Sequence, residues 1–277
     1  HDLFNNRIKD VTFSWDQILN FDGETVAPKG SAENRAHTMG ELSGAVYELS
    51  TCKETVELLE YLDANKSQLS EKEQRMVELM IKDIRTMEKI PMDEYIAHSA
   101  LLSKANAVWH EAKEKSDYAL FAPYLEKMLD YERRFAAMKN PDKAPYDVLL
   151  DQYEKGISMA QLDPFFKTLR DELTPLIQEI SHSKQPDYPF MKAAYPAEQQ
   201  RKFSLKLMEM EGIDPKRCTI GETEHPFTDA VNKWDVRITT HYHEDNVFSS
   251  MFSVIHEGGH ALYELNCDDK YNYSALF

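Results

Sequence analysis

The stretch VIHEGGHALYELN, residues 254–266, carries two histidines four positions apart, with a glutamate directly after the first. Apolar residues recur at helical spacing ahead of it and through it, at Val247, Phe248, Met251, Phe252, Ile255, Ala261, Leu262 and Leu265. This spacing predicts one long helix with an apolar stripe against a core. Because positions i and i+4 share a helix face, His256 and His260 are expected to lie side by side.

The histidine pair is suited to binding one metal ion, since imidazole nitrogens are common ligands of zinc. Glu257 lies about 100° round the helix from His256. This position makes it a poor metal ligand, but it is near enough to accept a proton from a water molecule at the metal. The alternative is a structural histidine pair beside an accidental glutamate. Gly258 and Gly259 each cost roughly 1 kcal/mol of helix stability relative to alanine, so we expect a close approach to the helix backbone there, as beside a substrate.

A third protein ligand for this metal ion is not evident in the sequence. Glu264 lies eight positions after His256, about 12 Å along a helix axis, whereas zinc–ligand bonds are near 2 Å. Tyr263 and Asn266 stand where the metzincin pattern requires glycine and histidine. The sequence therefore predicts an incomplete metal site.

Helical periodicity runs through most of the remaining sequence. SEKE at 70–73 has the form of a capping box, and the helix that it begins is closed by Pro91. A further apolar stripe over 162–180 is expected to be interrupted or bent at Pro175.

Two stretches depart from the helical pattern. Residues 20–36 are rich in glycine and proline and are predicted to form a loop. Residues 218–240 contain short β-prone runs and predict a small sheet or hairpin before the histidine helix. We expect a mainly α fold with a helical region over 1–217 and, continuous with it, a region over 218–277 that holds the β element and the histidine helix.

The composition of the chain argues against several classes of function and location. The net charge of −16 is spread along the chain, which argues against nucleic acid as a partner. No apolar run approaches the roughly 18–20 residues that span a membrane, and the first ten residues lack a signal-peptide core. Three distant cysteines, Cys52, Cys218 and Cys267, suggest neither disulfides nor a thiolate site, so a cytoplasmic location is expected.

Several motifs resemble the carboxypeptidase Taq family. HPF at 225–227, DVRIT at 235–239 and HEGGHALYELN at 256–266 have that family's order and spacing. The segment at 18–36 is similar to the family's N-terminal segment, although Phe21 stands where a tryptophan is usual. The resemblance covers essentially the whole chain and implies a long-helix, zincin-like metallopeptidase.

The resemblance implies a metallocarboxypeptidase that releases C-terminal amino acids from peptides by metal-activated attack of water. His256 and His260 would be ligands of one divalent ion, zinc or else cobalt, and Glu257 the general base. The family's third ligand is a glutamate on a later helix, which would lie beyond residue 277. The chain is therefore expected to be a truncated, inactive part of a longer enzyme. Homodimers are usual in this family.

Two further residues are candidates for contact with substrate. Arg237 is a guanidinium suited to pairing with a peptide's α-carboxylate, and the alternative is a structural ion pair. His225 could donate to the oxyanion or to a substrate carbonyl, and the alternative is a hydrogen bond that fixes its loop.

Two other functions remain open at this point. A thimet-type oligoendopeptidase is also helical and carries the same histidine motif. A non-catalytic helical module is the other alternative, for this chain alone, because a third ligand is absent from the sequence.

Overall fold

The computed structural model describes residues 14–185, 188–271 and 274–276, which form helices and one small sheet. In chain order the elements are α1 (Ser14–Thr25), α2 (Ala32–Thr51), α3 (Lys53–Ala64), α4 (Glu71–Met87), α5 (Met92–Lys115), α6 (Tyr118–Lys139), α7 (Pro145–Tyr153), α8 (Met159–His182), α9 (Ala197–Glu211), β1 (Cys218–Glu222), β2 (Thr228–Asn232), β3 (Asp235–Thr240) and α10 (Val247–Leu265). The predicted mainly α class is confirmed. No helix in the described ranges is long and apolar enough to cross a membrane.

The described chain divides into two compact units. One contains the residues up to Tyr124 together with those from Met191 onward, and the other is Leu125–Phe190. Helices α9 and α10, which lie on either side of residues 217/218, share one core, and the division of the chain at that point stays a prediction.

The sheet and α10 form the core that positions the histidine motif. The strand order is β1-β3-β2, with β1 parallel and β2 antiparallel to β3. One face of this sheet, α9 and the apolar stripe of α10 enclose a buried cluster of Leu207, Met208, Ile213, Cys218, Val236, Ile238, Val254, Ala261 and Leu265. The predicted half-buried helix is present, and the β element before it has three strands.

The capping box at the start of α4 is formed as predicted. The Ser70 side chain accepts from the Glu73 backbone N–H, and the Glu73 carboxylate accepts from the Ser70 N–H at 2.9 Å. Met76, Val77 and Ile84 then supply the buried side of the helix.

The prediction of a loop over 20–36 is largely wrong, because α1 continues to Thr25 and α2 begins at Ala32. Phe21 is only 8% exposed and packs edge-to-face on Phe227, with ring centroids 5.9 Å apart. The Thr25 hydroxyl donates to the Phe21 carbonyl at 2.7 Å. Burial of this aromatic side chain outweighs the cost of Gly23 within the helix.

In the second unit, α8 runs without interruption through Pro164 and Pro175, so of the predicted interruption or bend at Pro175 the interruption is not seen. None of the residues of α8 is buried. We define its apolar face as the exposed side chains Phe165, Phe166, Leu169, Leu173, Leu176, Ile177 and Ile180.

Candidate metal centre

The two histidines of α10 lie one helical turn apart, and both are exposed. Their Nε2 atoms are 3.2 Å apart, and the rings are inclined at 83°. Two zinc–nitrogen bonds of about 2.0–2.1 Å in tetrahedral geometry separate the nitrogens by about 3.3–3.4 Å. The spacing of His256 and His260 therefore fits two ligands of one metal ion, and it also fits a hydrogen bond between the two rings.

Glu257 points away from solvent, with 7% of its surface exposed. Its Oε2 accepts a hydrogen bond from the Thr228 hydroxyl at 2.7 Å, and the same hydroxyl lies 3.1 Å from the Glu257 carbonyl oxygen. Thr228 begins β2, so the sheet holds the carboxylate in a fixed orientation. Sequence reasoning missed this residue, although it directly follows the HPF motif.

The two glycines of the motif have different surroundings. A Cβ on Gly258 would meet the Glu211 carboxylate, 2.7 Å from its Cδ, whereas a Cβ on Gly259 would have nothing within 4 Å. The expected close approach at Gly258 is therefore made by the last residue of α9. Glu211 Oε2 is buried without a hydrogen-bond partner among the described residues, and this burial raises the pKa of the Glu211 carboxyl.

Arg237 is held by acidic neighbours. Its Nε and Nη2 donate to the two Asp235 carboxylate oxygens, each at 2.9 Å, and its Nη1 lies 4.0 Å from Asp22 Oδ1. The hydrogen bonds to Asp235 raise the pKa of Arg237 further. Because Val236 and Ile238 face the core shared with α10 and side chains alternate along a strand, Arg237 lies on the opposite face. This geometry supports the structural ion pair over the carboxylate receptor.

His225 is exposed in the loop between β1 and β2, three residues before Thr228. We find no hydrogen bond from its ring to another described residue, so the alternative of a loop-fixing contact gains no support. Its role toward substrate stays a prediction.

A third metal ligand is not found within the described ranges. These residues contain no group of three or more His, Cys, Asp or Glu side chains able to hold a metal ion. His256 and His260 therefore form a pair of neighbouring imidazoles, with Glu257 next to His256 in the sequence, and their role as metal ligands stays a prediction.

The model of the carboxypeptidase Taq (M32) metallopeptidases matches residues 5–277. The chain belongs to this family. Carboxypeptidase 1 of Bacillus subtilis (strain 168) is 38% identical over 253 residues, which are 91% of this chain and 50% of that protein. The family resemblance expected from the motifs is thus confirmed.

Solved structures agree with this family assignment. The BsuCP crystal structure has a TM-score of 0.95 at 36% identity, covering 99% of this chain and 55% of that one. The M32 carboxypeptidase from Deinococcus radiodurans R1 has a TM-score of 0.84 at 28% identity, with coverages of 99% and 55%. The chain spans about half the length of the relatives that it matches.

Proposed function

We propose that this protein acts as a metallocarboxypeptidase that releases C-terminal amino acids from peptides. The family is one of metallopeptidases, and the similar Bacillus subtilis protein is named a carboxypeptidase. The observation that carries the proposal is the geometry of α10, where two imidazole nitrogens lie 3.2 Å apart and Thr228 holds the carboxylate of Glu257, the residue after His256.

Glu257 is the group that we assign to proton transfer. Thr228 occupies Oε2, which leaves Oε1 to accept a proton from a water molecule and to return it to the departing amine. When bound at His256 and His260, a divalent ion supplies a Lewis acid that polarises the scissile carbonyl and increases the acidity of water.

The proposal also covers the metal ion, the binding partners and the cellular location of the protein. We assign zinc, or else cobalt, to the histidine pair, with a glutamate outside the described residues as third ligand. The length of the relatives supports this, since about half of each lies outside the matched region. Peptides as substrates follow from the family, and a homodimer and a cytoplasmic location complete the proposal. The net charge of −16 makes nucleic acid an unfavourable partner.

The general base is tested by Glu257→Gln in the native protein. Glutamine keeps the shape but cannot take the proton, so release of C-terminal residues should fall at least about 100-fold while metal content stays the same. The matched control is Glu264→Gln, two turns further along α10, which should keep most of the activity. Substantial activity in the Glu257 variant would remove this residue from the mechanism.

The effect of the peptide's C-terminal group on cleavage distinguishes an exopeptidase from an endopeptidase. Amidation of the peptide's C-terminus should abolish cleavage by a carboxypeptidase, because the free carboxylate is part of what is recognised. Equal cleavage of amidated and free-acid peptides would favour an oligoendopeptidase.

A further inference from the structure

A cavity of about 860 Å³ lies in the first unit, lined by parts of α1, α2 and α5, by residues 222–224 and by His241. Clefts of several hundred Å³ are typical of small-molecule sites. His256, Glu257 and His260 are not among the described residues that line it. The cavity includes much of the family-like segment 18–36, to which the proposed mechanism gives no role.

The cavity lies away from the point where the sheet supports Glu257. Thr228 pairs with Ile238 on β3, and His241 comes three residues after Ile238. At about 3.3 Å per residue, the wall formed by His241 is about 10 Å further along the sheet.

Most acidic side chains of the cavity wall already have cationic or hydrogen-bonding partners. The pairs are Glu24 with His110 at 2.9 Å, Glu114 with Lys29 at 2.8 Å, Glu111 with Lys115 at 2.5 Å, Glu222 with Arg201 at 2.6 Å and Glu224 with Lys113 at 3.0 Å. Glu24 also accepts a hydrogen bond from Asn106. The negative charge of the wall is thus largely compensated within the protein.

Arg35 is a partly buried cation on this wall that has no acidic partner among the described residues. Its Nη1 is buried without a hydrogen-bond partner, and its guanidinium makes no ion pair with any described residue. Gly23 leaves room for the group, since a Cβ there would lie 3.6 Å from Arg35 Cζ. Arg35 also lines a neighbouring cavity of about 240 Å³. A partly buried guanidinium with no partner among the described residues is costly, and its fork matches a carboxylate.

A second unsatisfied polar group lies on the same wall. Thr223 Oγ1 is buried and has no hydrogen-bond partner among the described residues, although the Thr223 carbonyl is 2.9 Å from His241 Nδ1. Thr223 and Arg35 line the same cavity.

We infer that this cavity is a second ligand site, at which Arg35 binds a carboxylate. The choice of a carboxylate among anions rests on the proposed function, since peptides and released amino acids both carry one. The binding itself does not depend on the metal or on catalysis.

Calorimetric titration of the metal-free protein tests the site with three probes: N-acetylalanine, N-acetylalaninamide and inorganic phosphate. N-acetylalanine should bind, and Arg35→Gln should weaken it by about tenfold or more, as expected for loss of a charged hydrogen-bond donor. Arg85→Gln, at an exposed arginine in the last turn of α4, should not change the affinity. Equal binding of the amide, or tighter binding of phosphate, would overturn the carboxylate assignment.

Thermal unfolding without ligand separates a binding role from a structural one. Because the guanidinium is unpaired, Arg35→Gln should leave the melting temperature unchanged or raise it. A lower melting temperature together with unchanged affinity would overturn the inference. If this variant does not fold, Arg35→Lys keeps the charge and loses the fork, and unchanged affinity in that variant would also overturn it.

The double variant His256→Ala with His260→Ala separates this inference from the proposed function. It should lose metal and peptidase activity and still bind N-acetylalanine with the affinity of the parent protein. Loss of that binding would place the carboxylate at the histidine pair and overturn the second site. Absence of peptidase activity in the parent protein would contradict only the proposed function.

Discussion

Helices α10 and α8 have similar sequence patterns, but several residues of α10 are buried and none of α8 is. Both carry apolar residues at helical spacing over 19 and 24 residues. In α10 the residues Ser250, Val254, Glu257, Gly258, Ala261 and Leu265 are buried, whereas no residue of α8 is buried. A sheet and α9 pack against α10, whereas the described residues leave the side chains in the apolar face of α8 exposed.

The difference teaches that an apolar stripe fixes which side of a helix seeks a partner but not which partner it finds. The candidate metal-binding and catalytic residues lie on α10, and the packing of this helix fixes the backbone of the histidine motif. The relatives are about twice as long as this chain.

The comparison is tested most strongly by placing one charge in each helix. Val254 is fully buried and Leu173 is 45% exposed. Val254→Asp should cost more than about 4 kcal/mol of unfolding free energy, because it buries an unpaired charge, while Leu173→Asp should change it by less than about 0.5 kcal/mol. Urea unfolding followed by circular dichroism measures both. Similar losses would show that the apolar face of α8 is covered in solution.

A second test concerns what the sheet contributes to α10. Thr228→Val keeps the shape of the side chain but removes the donor to Glu257, so kcat should fall by about 10- to 100-fold, as expected for a hydrogen bond to a charged group. Thr228→Ser retains the hydroxyl and should keep most of the activity. Unchanged kcat in the valine variant would show that packing alone orients Glu257.

The smallest effect is expected on the sheet face that lies away from α10. Arg237→Ala should lower the unfolding free energy by about 1–3 kcal/mol, because Asp235 loses a partly buried partner. The KM for free-acid peptides should stay unchanged, and Asp235→Asn should give a similar loss of stability. A steep rise in KM without loss of stability would instead support the carboxylate receptor.

Features that depend on neighbours in sequence were predictable. The capping box at Ser70 and Glu73 joins residues three positions apart, and the histidine pair joins residues four apart on one helix. The β-prone runs before α10 were also recognised, because alternation and β-branched residues act locally. Phe21 shows the limit, since contact with Phe227, about two hundred positions later, keeps a glycine-containing segment helical.

The sequence by itself determined the helical class, the family and the alignment of His256 with His260, since each follows from periodicity or from a short motif. Only the tertiary structure decided that Thr228 holds Glu257, that Glu211 approaches Gly258 and that no described residue pairs with Arg35. Each of these features depends on groups that are distant in the sequence. Their energies come from burial and from hydrogen bonds that exist only after the helices and the sheet have packed, so no local pattern contains them.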